Sequence, residues 1–202
     1  MADTILTIKQ IEDLFQSVTM QMLGLPEKDI DDNPINQDKV RIAWPTGGAP
    51  AWRIDEDITF LQITPVDDFF ARQRDIGYSD QDTENAKRSV NYSRVHQIQW
   101  ICYGPSSFEN IETIRHSIFL PDFKNQFKTK NMHLVTDVGM PQRSPELFNG
   151  RWWERSNITV RYNEGVERSS TVPYIQEIKI ETRVNKASTP VTPYAAATWV
   201  TR

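Results

Sequence analysis

Cysteine is nearly absent: Cys102 is the only one in 202 residues. That excludes an internal disulfide framework and a zinc cluster built from cysteines. Cys102 sits in the strand-like run QIQWICY, which suits a buried, inert thiol better than a nucleophile. No apolar run approaches the ~20 residues of a membrane-spanning helix, so no membrane role is expected. The N-terminal MADTILTIKQ lacks a basic region followed by an apolar block. No signal peptide is therefore expected, and the chain reads as used in the cytosol or built into something assembled there. Positive charge is also in deficit, with 23 Lys and Arg against 27 Asp and Glu, a net charge of −4. The pI near 5.4 disfavours a general nucleic-acid binder, which is normally basic.

Catalytic constellations are missing as well. There is no Gly-x-Ser-x-Gly, no His-Glu-x-x-His and no dinucleotide fingerprint. The three histidines, His96, His116 and His133, are dispersed and not at ligand spacing. Gly47-Gly48 is followed by Ala-Pro-Ala rather than the Gly-Lys-Ser/Thr of a phosphate loop, and reads as a hairpin turn between two strands in residues 40–64. The acidic stretch at residues 25–39 lacks EF-hand spacing and its glycine, so a solvated loop is favoured over a calcium site. Adjacent acids such as Asp31-Asp32 and Asp67-Asp68 read as solvated loop residues. A hydrolase built on carboxylates far apart in sequence stays open as a reading of another class, as does a small-ligand binding module. No catalytic residue, cofactor or metal ligand is nominated.

What the chain does have is strand alternation. In residues 152–162, WWERSNITVRY, Ile158, Val160 and Tyr162 share one parity and Arg155, Asn157, Thr159 and Arg161 the other. In residues 174–184 the apolar parity is Tyr174, Ile178, Ile180 and Val184. Side chains alternate sides along a strand, so each run predicts one buried and one wet face. The intervening NEGVERSST predicts a long hairpin loop. The segment at residues 90–104 predicts another strand, buried on both faces in its later half and hence central. His96 within it reads as a surface or hydrogen-bonded histidine.

Two helices are expected. Residues 7–23 place Ile8, Ile11, Phe15, Val18 and Met22 on one stripe, with Thr7 and Gln10 at capping-box spacing and Gly24 as the stop. Residues 106–120 place Phe108, Ile111, Ile114 and Ile118 on a stripe, with Ser106 and Glu109 as the capping box and Pro121 closing the helix. Residues 134–139 predict a short strand and residues 140–150 a loop. The charged stretch at residues 66–89 predicts a loop excursion, with Phe69 and Phe70 as apolar anchors. Adjacent strand residues face opposite sides, so Trp152 and Trp153 cannot both enter one core. One of them meets another subunit or a loop. The last residues, 185–202, carry an isolated aromatic, Trp199, suited to anchoring on a partner.

Together these predict an α+β chain: an antiparallel or mixed sheet of five to six strands with two main helices packed on one face. Residues 1–184 form a single domain with the excursion at 66–89, and residues 185–202 an extended C-terminal arm.

The order QIQWICYGP, SSFENIETIRHSIFLPD, GRWWERSNITVRYNE, IQEIKIETRV, spanning residues 97–184, resembles neck and tail-terminator proteins of long-tailed bacteriophages and prophages. The excursion and the extended tail depart from compact members of that family. The resemblance implies a structural virion subunit forming a homo-oligomeric, usually hexameric, ring. That ring ends the tail tube, contacts tube and sheath protein, and joins the head-tail connector. A head-side connector or minor tail protein is the alternative within the same class. DNA would pass through the channel without specific binding, since an acidic lining does not grip it. Trp152, Trp153, Phe69, Phe70 and Trp199 are the expected subunit or partner contacts.

Overall fold

The computed structural model describes residues 3–43, 51–80, 82 and 84–173, except the side chain of Phe70. The elements in order are α1 (Ile8–Met22), β1 (Val40–Ile42), β2 (Ile58–Val66), a single 3-10 turn (Phe70–Arg72), β3 (Asp75–Asp80) and β4 (Asn85–Tyr103). Then follow α2 (Ser107–Ser117), α3 (Pro121–Lys128), β5 (Met132–Leu134), β6 (Gln142–Arg143), β7 (Glu146–Phe148), β8 (Arg151–Trp153) and β9 (Arg155–Pro173). The class is α+β, with a mixed seven-stranded sheet and a separate two-stranded one.

The main sheet runs β1-β2-β4-β9-β5, with β3 added to β4 and β6 to β9. β4 is central, as its two-sided apolar pattern predicts. On its even-numbered face Ile98, Trp100 and Cys102 are fully buried, flanked by Leu61 and Ile63 of β2 and by Ile158, Val160 and Tyr162 of β9. The helices cover this face. Phe15 of α1 meets Trp100, Phe127 of α3 and Tyr162 at ring-centroid distances of 6.1, 4.8 and 5.0 Å. The Trp100 indole N–H donates to Thr19 Oγ1 at 2.9 Å, so the largest core side chain also satisfies its polar atom. Cys102 is buried in this layer and its thiol is pushed up to about 12 by burial, which makes it inert as expected.

Several local expectations are corrected. Residues 163–171 are not a hairpin loop. They continue β9, paired residue for residue with β4 from Tyr103↔Arg155 to Asn85↔Pro173. The composition suggests a loop because the even-numbered face carries the charged Glu164 beside Val166, both buried, and past Val166 none of residues 167–171 is buried. β1 and β2 pair in parallel, so the segment joining them is not a hairpin turn. Gly47-Gly48 itself lies outside the described residues. The excursion is also ordered: β3 and the start of β4 pair antiparallel, with Ile76↔Val90 and Tyr78↔Arg88. Its charge places it in solvent without preventing backbone pairing. The expected strand at 134–139 is instead β5, Met132–Leu134. The predicted strand at 174–184 and Trp199 lie outside the described residues.

Among the described residues the helices number three, because Pro121 opens α3 as its first residue rather than closing α2. Proline has no N–H to lose at that position and its fixed φ suits a helix start. The Thr7–Gln10 capping box forms in both directions. The Ser106–Glu109 box does not. The Ser106 N–H instead donates to Asp57 Oδ1 at 2.9 Å, so a carboxylate from a distant loop caps α2.

Candidate assembly surfaces

The long strands β4 and β9 outrun the helices. Nineteen residues each, they span about 60 Å at ~3.4 Å per residue. The helices cover only the half near Tyr103 and Arg155. The other half, with β3, is a three-stranded arm. All six residues of β3 are exposed, including Ile76 and Tyr78, and among the described residues β3 pairs only with β4. Among the described residues the arm therefore ends in an edge strand, the kind of edge that another chain can cover. The Arg74 guanidinium lies 3.8 Å from the Tyr92 ring centroid, fixing the approach to β3 across the arm.

Where core gives way to arm, the even-numbered face changes from apolar to charged. Glu164 is only 1% exposed there. Its Oε1 accepts the Leu6 N–H at 2.9 Å. Its Oε2 accepts from Arg94 Nε at 2.9 Å and from His96 Nε2 at 2.9 Å. The second Arg94 nitrogen donates both to Glu164 and to the Leu6 carbonyl, the latter at 2.7 Å. Burial pushes the Glu164 carboxyl up, but the hydrogen bonds from His96, Leu6 and Arg94 outweigh it and hold it below its ordinary range. The cluster pins the N-terminal segment across the base of the arm, where Thr4 bridges Glu167 and the Ser169 N–H donates to Asp3. His96 is thus hydrogen-bonded, as expected. Its acid partner lies 68 residues away in sequence and was not visible there. This carboxylate is saturated by donors, so the geometry assigns it to structure rather than to acid–base chemistry. Among the described residues, no group of three or more His, Cys, Asp and Glu could hold a metal ion.

The opposite end of the molecule is aromatic. β7 and β8 form a hairpin, with Leu147↔Trp152 and Glu146↔Trp153 paired. Its turn is Asn149-Gly150, with φ of 49° and 71°. Positive φ at both central residues is the twist a two-residue hairpin needs, and Asn-Gly supplies it. Residues 140–150 are thus not all loop as expected, and the Asn-Gly dipeptide is the sequence signal that marks the hairpin. The hairpin sorts the two tryptophans as strand geometry requires. Trp152 is 66% exposed beside Leu147, at 60%. Trp153 turns inward and meets Trp52 at 5.9 Å and Phe148 at 6.1 Å. Trp52 in turn packs on Phe60 and Tyr103 at 5.0 and 5.5 Å, on the sheet face opposite the helices. The hairpin is fastened by the Tyr103 hydroxyl donating to Glu146 Oε2 at 3.0 Å and by an Arg155–Glu146 ion pair. Between Ala51, Trp52, Tyr103, Glu146, Phe148 and Trp153 lies a groove of about 300 Å³.

Of the five expected contact residues, Trp152 and Trp153 belong to this aromatic end. Phe69 is 79% exposed at the start of the 3-10 turn that leads to the arm, so the structure does not bring it to the tryptophans. The Phe70 side chain and Trp199 are outside the described residues. Among the described residues no helix is long and apolar enough to cross a membrane.

No curated protein gives a significant match to the chain. A family described as phage neck terminator protein matches residues 9–196, a span that runs through the core, the arm and most of the segment beyond β9. With nearly the whole chain covered and the α+β architecture in place, the chain belongs to the phage neck terminator protein family, a family of structural virion proteins.

Proposed function

We propose that this chain is the subunit of a closed homo-oligomeric ring, hexameric by family resemblance, that terminates the tail tube and joins it to the head connector. The observation that carries the reading is the separation of two unlike surfaces on one rigid strand pair. The aromatic hairpin stands at the Tyr103–Arg155 end and the open-edged arm at the other, about 60 Å away. A ring needs a heterologous interface, in which two different patches of the same subunit meet. Residues 1–184 then form the ring-building domain and residues 185–202 an arm, with Trp152, Trp153, Phe69, Phe70 and Trp199 as contacts. The net acidic charge suits a channel through which DNA passes unbound. Tube, sheath and connector proteins are the partners this position supplies.

Native mass and negative-stain images of the purified protein test the ring. An open-centred ring is expected, or a monomer that caps tail tubes lacking it. A monomer that caps nothing would end this reading. The two tryptophans make separate predictions. Trp152→Ala removes an exposed ring, so stability stays within about 0.5 kcal/mol while assembly is lost. Trp153→Ala also opens the intramolecular cluster and lowers stability by about 1–2 kcal/mol. Intact assembly in both variants would remove the hairpin from the interface.

A further inference from the structure

The aromatic groove and the C-terminal sequence fit each other chemically. The groove walls are rings set at steep angles, with Trp52 and Trp153 at 78° and Phe148 and Trp153 at 76°, which leaves a slot rather than a closed stack. Slots lined by upright aromatic rings suit polyproline segments, which are stiff and lose little entropy on docking. Residues 189–193 read TPVTP, and Pro190 and Pro193 are the only two prolines of this chain three residues apart. At three residues per turn, that spacing would put both rings on one face of a polyproline helix.

Reach decides which copy supplies the segment. β9 starts beside the groove, where Arg155 pairs with Tyr103, and ends at Pro173 on the arm tip, about 60 Å away. Pro190 follows 17 residues later, a span of at most about 60 Å when fully extended. Return to its own groove would take the whole span at full stretch and leave nothing for the turn after Pro173, so the segment is matched to a groove on another copy. We propose that the groove between Trp52, Tyr103, Phe148 and Trp153 receives the proline-spaced segment, residues 189–193, of a neighbouring copy, linking subunits head to tail. This rests on the self-association in the ring reading and adds the device that joins successive subunits.

Disulfide trapping between two single-site variants tests it. One carries Ala51→Cys at the groove and the other Ala195→Cys just beyond the prolines. The native Cys102 is buried and does not compete. Mixing the two under mild oxidation should give a mixed covalent dimer. Adding Pro190→Ala and Pro193→Ala to the tail partner should cut its yield about tenfold. The double variant Ala51→Cys with Ala195→Cys should give covalent chains of subunits. A cross-link confined within single chains overturns the proposal, as does a mixed dimer absent or indifferent to the prolines. Rings that form without this cross-link leave the ring reading standing and sink only the groove; a chain that neither self-associates nor caps tails sinks the ring reading itself.

Discussion

Gly104→Ala is expected to destabilise the fold by about 3 kcal/mol, lowering the urea midpoint and the melting temperature together. Gly104 ends β4 and has φ of +106°, a conformation that L side chains rarely adopt. An added Cβ would fall on Asp57 Oδ1 and within 2.6 Å of the Glu56 carbonyl oxygen. Backbone cannot swing aside as a flexible side-chain tip can. The displaced Asp57 is also the cap of α2, so the same substitution leaves the Ser106 N–H without its acceptor. Asp57→Ala isolates that second effect and should cost only about 1 kcal/mol. If Gly104→Ala unfolds within about 0.5 kcal/mol of the parent chain, the close approach of this loop to the strand end is wrong.

Glu164→Ala is expected to cost about 3–5 kcal/mol, because it strands the charge of Arg94 and the ring N–H of His96 beside a buried site. It also releases the Leu6 N–H, so amides in residues 3–7 should lose hydrogen-exchange protection before the helices do. Glu164→Gln keeps an acceptor for Leu6 and loses the charge, and should fall between the two. The pH dependence follows from the direction of the shift. The folded carboxyl titrates below its ordinary value of about 4.5, so the unfolded chain takes up this proton first. The contribution is therefore complete above about pH 4.5 and is lost as pH falls through the folded value. Unfolding free energy measured from pH 7 to pH 3 should drop more in the parent chain than in Glu164→Ala. Equal drops would show that the cluster contributes nothing to acid sensitivity.

Much of the fold is legible in the residues. The period-2 pattern of Ile158, Val160 and Tyr162 and the stripe of Ile11, Phe15 and Val18 identify the core face before any coordinates, because burial is a local demand on every second or every third-to-fourth side chain. The opposite fates of Trp152 and Trp153 follow from the same rule. The arm is not legible in this way. All of residues 75–80 are exposed and none of residues 167–171 is buried, so neither stretch has a hydrophobic period, and residues 163–166 bury one charged and one apolar side chain; all read as loop, while their pairing is a backbone matter set by β4 running between them. The Asn149-Gly150 turn is legible from the dipeptide itself, whose residues tolerate the positive φ that the hairpin needs.

The sequence by itself determined the class, the lack of the usual catalytic motifs and of a second cysteine for an internal disulfide, the helical and central-strand core, and the family resemblance. Each of these depends on residue identity or on spacing within one segment. Tertiary structure alone decided the partners across long separations. Asp57 caps a helix 49 residues on. Glu164 gathers Arg94, His96 and Leu6, and Trp52 meets Trp153 on the far face of the sheet. It also decided that β1 lies parallel to β2 and that β4 and β9 run on past the helices. No local pattern encodes these, because they arise only when register brings distant positions side by side.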